Sequence, residues 1–252
     1  MQARAMLFIA TSVCAAITSA STTFAAEVKV LADSPLRVPL NRIAADFRAD
    51  TSHSVVIEFG SAPSLKAKLA AGEKADVLIS LANDIEDMAR QGKLGAVEAK
   101  LAQIKLGLAV RAGVTPPDIS TLERFKKALE KADTVVHTNV ASGRAFLQQL
   151  EKIGFAKELK GKLVEVGVPP GVLPEIMKRS GYDIGVGQMS QIIEFSAKGI
   201  ASAGPVPGAV QVEITYSAGV LPEAVSGEAA RLFVKYLGSP KAAAALVAAG
   251  AK

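Results

Sequence analysis

Apolar and polar positions follow one another along the chain in a pattern that predicts strands and helices in turn. Val28, Val30 and Leu31 are apolar and partly β-branched, which is typical of a buried strand. Turn residues at 33–35 end that strand, and apolar side chains then recur at helical spacing over residues 40–47. Residues 55–59 predict a second strand, which is followed by a loop at 60–64 and a further helix. The chain therefore begins with two strand–loop–helix units.

The two loops are expected at the same edge of a parallel sheet. Ligands of open α/β sheets bind at this carboxyl edge. Helix N-termini there offer free N–H groups and a partial positive charge, which suit an anion. The hydroxyls of Ser34, Ser61 and Ser64 add hydrogen-bond donors. Each serine could instead be only a helix cap or turn former, but the recurrence in two successive units favours a binding site.

The rest of the chain predicts a second α/β half. Further strands are predicted at 75–80, 105–111, 134–138, 163–166, 183–187 and 210–217, and three more loops at strand ends lie at 139–144, 168–172 and 187–190. The first crossing between the halves is predicted along the strand at 105–111, just before the Pro/Gly cluster at 113–117, and the return crossing at the Pro/Gly cluster 204–208. We therefore predict a discontinuous domain I of residues 27–108 and 212–252, and a domain II of residues 109–211. A cleft with two crossings suits hinge closure around a ligand.

The N-terminus has the features of a secretory signal peptide. Arg4 provides a positive start, residues 6–17 are mostly apolar, and small residues extend to Ala26. This run is too short to span a bilayer comfortably, so we expect residues 1–26 to be removed on export. Cys14, the only cysteine, lies within it, and the residues before it do not fit a lipoprotein signal. The exported chain is then expected to be stable without disulfides.

Composition and charge narrow the class of protein. Hydrophobic residues make up 50% and charged residues 21%, which indicates a globular chain with a core. The formal net charge is +5, but the basic residues are interspersed with acidic ones and aromatic residues are only 5%. This is a solvated surface rather than a nucleic-acid-binding stripe, so no nucleic acid partner is expected. No Cys/His cluster suggests a metal site.

Short motifs recur in order along the whole exported chain. They are V-x-V-L-A-x-S-x-L at 28–36, I-A-A-D-F at 43–47, F-G-S-A-P-S-L at 59–65, G-E-K-A-D-V-L-I-S at 72–80, V-x-x-G at 140–143, S-G-Y-D-I-G-V at 180–186 and L-G-S-P-K-A at 237–242. In their order and spacing they resemble the periplasmic molybdate-binding proteins of ABC importers, within the periplasmic solute-binding superfamily.

The resemblance implies an α/β, two-domain Venus-flytrap fold with two hinge crossings. It also implies a periplasmic protein, expected to be a monomer, that is not an enzyme and has no cofactor or metal. The ligand would be a small anion, a molybdate- or tungstate-like oxyanion, held in the interdomain cleft by neutral donors and helix ends. The partner would be the membrane permease of an ABC importer.

The loops depart from the family pattern at four positions. Pro35 and Ala62 stand where the family has ligand-binding serines, Ser142 replaces a small apolar residue, and Gln188 replaces a tyrosine. The ligand-binding residues expected on this basis are Ser34, Ser61, Ser64, Ser142, Arg144, Val172 (through its backbone) and Gln188. Arg144 could bind a carboxylate in bidentate fashion, or could be a solvated residue of a first helical turn. A small organic carboxylate is therefore the alternative ligand.

Two rival functions also follow from the residues. His137 ends a predicted strand near Ser142, so a hydrolase with a Ser–His pair is conceivable, although the chain has no G-x-S-x-G elbow. The same binding protein could also hand its ligand to a membrane receptor as a sensor instead of to a permease.

Overall fold

The computed structural model describes residues 25–252, which alternate between strands and helices. The strands are β1 (Glu27–Asp33), β2 (Ser54–Gly60), β3 (Val77–Leu81), β4 (Val97–Arg111), β5 (Thr134–Thr138), β6 (Leu163–Val166), β7 (Asp183–Gln188), β8 (Ile200–Pro205) and β9 (Glu213–Val220). The helices are α1 (Arg37–Thr51), α2 (Ala62–Ala70), α3 (Ala82–Arg90), α4 (Leu122–Lys131), α5 (Ala141–Lys152), α6 (Val172–Lys178), α7 (Met189–Ser196), α8 (Gly227–Leu237) and α9 (Pro240–Ala248). Short 3-10 helices cover Ser34–Leu36 and Gly208–Val210.

The strands form two mixed sheets that share β4. In the first sheet β1 runs parallel to β2 and β3, and β9 pairs antiparallel with β3 and β4. In the second sheet β5 runs parallel to β6 and β7, and β4 pairs antiparallel with β7 and β8. The parallel strands of each sheet are joined through helices, as expected for α/β units.

The long strand β4 carries the chain from one half to the other. Its first part, up to Lys105, pairs with β9, and its second part, from Leu106, pairs with β7 and β8. The chain returns between β8 and β9, through the 3-10 helix at Gly208–Val210. The predicted α/β class with two crossings is thus confirmed, whereas the domain limits 27–108, 212–252 and 109–211 stay predictions.

The packing of the first half follows the predicted apolar stripe. Leu40, Ile43 and Phe47 of α1 are buried, beneath the apolar face of β1. The Phe47 ring meets Phe233 of α8 edge-on, with 5.1 Å between the ring centroids, and also meets Tyr236. The C-terminal helices therefore pack back on the first half, as the pattern predicted.

Several elements differ from the sequence-based prediction. β4 begins at Val97 instead of residue 105, β9 spans Glu213–Val220 instead of 210–217, and β8 was not predicted. After Ile200 the residues of β8 are small and end in Gly-Pro, so the apolar signal of this strand is weak. The predicted signal peptide, residues 1–26, lies almost entirely outside the described residues. Over residues 25–252 no helix is both long and apolar enough to cross a membrane.

Candidate functional site

A cleft of about 410 Å³ opens between the two halves, where β1, β2, β5 and β7 end. Its lining residues come from 33–37, 59–64, 138–142, 168–174 and 186–195, together with Leu81 and Tyr216. These segments include the loops predicted from the ends of the strands. The volume suits a small molecule, and the position at the carboxyl ends of parallel strands is where such folds bind ligands.

Ser34 joins the two loops of the first half. Its Oγ donates to the carbonyl oxygen of Gly60 at 3.0 Å. The next residue, Pro35, offers its carbonyl oxygen to the buried hydroxyl of Ser190 at 2.7 Å. Ser190 lies in the first turn of α7, so this hydrogen bond links the two halves at the cleft. The hydroxyl proton of Ser34 is thus already used within the protein.

Ser61 and Ser64 form a capping box at the start of α2. The Ser64 hydroxyl accepts from the Ser61 N–H at 2.9 Å and donates to the Ser61 carbonyl oxygen at 2.8 Å. The Ser61 side chain accepts from the Ser64 N–H. Both serines line the cleft, but the box engages the proton of Ser64 and leaves that of Ser61 available to a ligand.

Asp33 ends β1 inside the cleft, with 6% of its surface exposed. Burial raises the pKa of its carboxyl to about 7, the N–H groups of Ser34 and Ala62 oppose this rise, and the negative charge of Asp84 adds to it. Within residues 25–252 its carboxyl has no ion-pair partner. The sequence pattern predicted only a turn at Asp33. In the folded protein its carboxyl is an acid–base group poised near neutral pH.

Arg37, the first residue of α1, places a positive charge in the same cleft. Its guanidinium carbon lies 4.4 Å from the centroid of the Phe59 ring, which holds the half-buried side chain in place. Among residues 25–252 no carboxylate or carbonyl group forms a hydrogen bond or ion pair with this guanidinium, and Arg37 is the one cationic residue of the cleft lining. The sequence pattern did not single it out.

Arg144, the cation predicted for the site, is not among the lining residues. Its guanidinium donates to the carbonyl oxygen of Asn139 at 2.5 Å, at the start of α5. The structure therefore brings Arg37, and not Arg144, to the cleft. A role for Arg144 in binding stays a prediction without a cleft contact to support it.

Thr138 and Ser142 form the wall contributed by the second half. Thr138 ends β5 with 6% exposure, and its Oγ1 is buried without a hydrogen-bond partner among residues 25–252. Ser142, 7% exposed, lies in the first turn of α5. Gly143, the next residue, packs so tightly against the end of β5 that a Cβ there would overlap the Thr138 backbone, which explains the glycine of the V-x-x-G motif.

Gln188 and Tyr216 meet across the hinge side of the cleft. Gln188 ends β7 and is 4% exposed, and the phenol oxygen of Tyr216 lies 2.7 Å from its Nε2 and 3.0 Å from its Oε1. Burial raises the pKa of Tyr216 well above its usual value, and the nearby charge of Asp33 adds to the effect. The phenol therefore stays protonated. Position 188 holds a glutamine where the family pattern has a tyrosine, and Tyr216 of β9 brings a phenol to the cleft from another strand.

The remaining predicted residues are placed as follows. Val172 begins α6 and lines the cleft. Of the seven predicted residues, all but Arg144 therefore lie in the cleft, and their roles in binding remain predictions. His137 is buried with its Nδ1 at 3.1 Å from the Thr138 carbonyl oxygen and is not part of the lining. Within residues 25–252 no hydrogen bond joins it to Ser142, so this structure offers no Ser–His pair for a hydrolase.

Comparisons with known proteins agree with this geometry. The family model for bacterial extracellular solute-binding proteins matches residues 28–252. The chain is 28% identical over 208 residues to a protein of Pseudomonas sp named aconitate isomerase, and this match covers 79% of this chain and 78% of the relative. It is 26% identical over 232 residues to the molybdate-binding protein ModA of Azotobacter vinelandii, over 90% of each chain.

The solved structure of the periplasmic molybdate-binding protein of Azotobacter vinelandii shares the fold. It superposes with a TM-score of 0.73 at 23% identity and covers 89% of this chain and 98% of its own. The predicted two-domain fold of periplasmic binding proteins is thereby confirmed. Because the family match spans nearly all described residues, the chain belongs to the bacterial extracellular solute-binding protein family.

Proposed function

We propose that this protein captures a small anion in the cleft between its two halves, in the periplasm, and delivers it to the membrane permease of an ABC importer. The observation that carries the proposal is Arg37, a cation in the cleft without a protein partner among the described residues. A half-buried cation of this kind attracts a bound anion strongly, because the low local dielectric increases the electrostatic interaction energy.

The neutral groups of the cleft support the same proposal. Ser142 offers a hydroxyl on the second half, and Ser61 offers one on the first half. An anion placed between the halves would accept hydrogen bonds from both, which would favour the closed state of the hinge. The names of the relatives support it further, since molybdate and aconitate are both anions.

The test is a thermal-shift screen of protein expressed from the full-length sequence. The ligands would be molybdate, tungstate, sulfate, phosphate and a panel of di- and tricarboxylates. A ligand at about 100 times its Kd stabilises the folded state by roughly 2.7 kcal/mol, which is readily measured. We expect at least one anion to raise the melting temperature; a panel without any shift would contradict the proposal.

Delivery to a permease needs a separate test, because a sensor would bind its ligand equally well. Uptake of the ligand found in the screen would be followed in cells with and without the gene. Loss of uptake in the deletion strain is expected for an importer component. Unchanged uptake, with loss of a transcriptional or motile response, would assign the protein to sensing instead.

A second candidate function is isomerisation, and Asp33 is the observation that favours it. A carboxyl with a pKa of about 7 inside a ligand cleft can both accept and donate a proton near neutral pH. Asp33 would take a proton from the carbon next to one carboxylate of an unsaturated tricarboxylate. It would then return that proton to the far carbon of the allyl unit, so that the double bond moves and no atom is gained or lost.

This candidate is tested by incubating the protein with a single isomer of aconitate and following its conversion by chromatography. Asp33→Asn, which keeps the shape of the side chain, should abolish the conversion while aconitate still binds. If the wild-type protein binds aconitate and leaves it unchanged, the protein is a binding protein without this activity.

A further inference from the structure

We propose that Asp33 contacts the ligand directly and makes the cleft selective for a small organic acid that carries a hydroxyl group, over oxyanions that carry no proton. This inference rests on the proposed function, because it specifies which anion the cleft would capture. Asp33 would accept a hydrogen bond from the hydroxyl, and Arg37 would bind the carboxylate.

The first step of the argument is the chemistry of Asp33. An ionised carboxylate has only hydrogen-bond acceptors. Molybdate and sulfate also have only hydrogen-bond acceptors. Either dianion would be repelled by the charge of Asp33 and could not donate a hydrogen bond to it. A hydroxyl on the ligand would instead donate to Asp33, and hydrogen bonds to charged groups are stronger than neutral ones.

The second step is the arrangement of charge on the wall of the first half. Asp33 and Arg37 are separated by the 3-10 helix Ser34–Leu36, and both line the cleft. Among the described residues they form no ion pair with each other or with a third group. One acceptor and one cation, both available, match a ligand that presents a hydroxyl and a carboxylate together.

The third step is the opposite wall. The Oγ1 of Thr138 is buried and has no hydrogen-bond partner within the described structure, a state that costs free energy unless a ligand or water completes it. Ser142 lies beside it in the same lining. The Thr138 oxygen is closed off from the solvent of the cleft, so on this wall it is the hydroxyl of Ser142 that can donate to a carboxylate of the ligand, and both walls take part in holding an organic acid.

The charged groups around Asp33 define the conditions of the test. Asp84 of α3 acts on it through its charge, but pairs with Lys66 of α2 at 2.5 Å. Glu194 of α7, which also lines the cleft, pairs with Lys198 at 2.8 Å. Arg37 of α1 and the neutral phenol of Tyr216 of β9 complete the surroundings. Selectivity is therefore best measured at about pH 8, where Asp33 is ionised.

The experiment is isothermal titration calorimetry with four probes at that pH. Malate and succinate differ by one hydroxyl group, and sulfate and molybdate represent oxyanions without a proton. We expect wild-type protein to bind malate at least about ten-fold more tightly than succinate, and more tightly than either oxyanion. Asp33→Asn should remove the preference for malate and tighten the binding of the oxyanions.

Two controls keep the result interpretable. Asp87→Asn changes an exposed carboxylate of α3 outside the lining and should leave all four affinities as in the wild type. The melting temperature of Asp33→Asn shows that the variant is folded. Equal binding of malate and succinate, or an unchanged ratio in Asp33→Asn, would overturn the inference. If no probe binds the wild type while another anion of the thermal-shift panel does, the inference is overturned and the proposed function stands; if an oxyanion binds best, only the selectivity is overturned.

Discussion

The phenol of Tyr216 and the side-chain amide of Gln188 are joined at 2.7 Å inside the cleft, although they lie on strands of different sheets. Both residues are buried. The contact therefore ties the end of β7 to the middle of β9, beside the place where the chain crosses between the halves. It also means that the amide of Gln188 is already engaged before any ligand arrives.

We predict that Tyr216→Phe lowers the free energy of unfolding by about 1–3 kcal/mol, because it leaves the buried amide of Gln188 without its partner. Urea denaturation at neutral pH measures this. Tyr182→Phe is the matched control, since the Tyr182 hydroxyl has no hydrogen-bond partner within residues 25–252 and its removal should cost less than about 0.5 kcal/mol. Equal stability of Tyr216→Phe and the wild type would show that the contact contributes nothing.

The carboxyl of Asp33 predicts an unusual dependence of stability on pH. Its pKa is raised from an ordinary 3.8 to about 7 in the folded protein. Between these values the folded state holds a proton that the unfolded state has lost. The stability contributed by protonated Asp33 is therefore fully present below about pH 4 and is lost as the pH rises to about 7.

Asp33→Asn should remove this dependence, because asparagine stays neutral throughout. At about pH 8 we expect the variant to be more stable than the wild type by a few kcal/mol, with about 4 kcal/mol as the upper limit set by the size of the pKa shift. At about pH 4 the two proteins should differ little in stability. Thermal melts at both values test this. A gain in melting temperature that is the same at both values would contradict a raised pKa at Asp33.

The tight turn at the start of α5 predicts a large effect of a small substitution. Gly143→Ala would drive a methyl group into the Thr138 backbone, so the helix must move away from β5. We expect the free energy of unfolding to fall by about 1–3 kcal/mol. Ligand binding should also weaken, because Thr138 and Ser142 would both shift. Gly208→Ala, where an added Cβ meets open space, is the control for a Gly→Ala change in itself.

Much of the fold follows from the sequence because each predicted strand is a short apolar run that ends in a turn and opens a helix. That pattern also predicted Ser34, Ser61 and Ser64 in the cleft, since loops at the ends of parallel strands must gather at one edge of a sheet. The resemblance to periplasmic molybdate-binding proteins added Ser142, Val172 and Gln188, and all six residues line the cleft. β8 escaped prediction because Ala, Ser, Gly and Pro dominate it, and the start of β4 escaped because pairing with β9 is a long-range contact.

The charged part of the site was not predictable in the same way. Arg37 and Arg144 each lie in the first turn of a helix that follows a strand-end loop. The 3-10 helix before α1 and the ring of Phe59 decide that Arg37 lies in the cleft, and neither can be inferred from local spacing. Asp33 and Tyr216 acquire their properties from burial between elements that are distant in sequence.

The measurement that tests the central claim most directly compares two arginine variants by calorimetry, with the anion that stabilises the wild-type protein most. Arg37→Ala should weaken binding of that anion at least ten-fold, because it removes the cation of the cleft lining. Arg144→Ala, whose guanidinium lies on the Asn139 carbonyl, should bind about as tightly as the wild type. Unchanged affinity in Arg37→Ala would contradict the site proposed for this protein, and a loss in Arg144→Ala would place the binding cation on α5 instead.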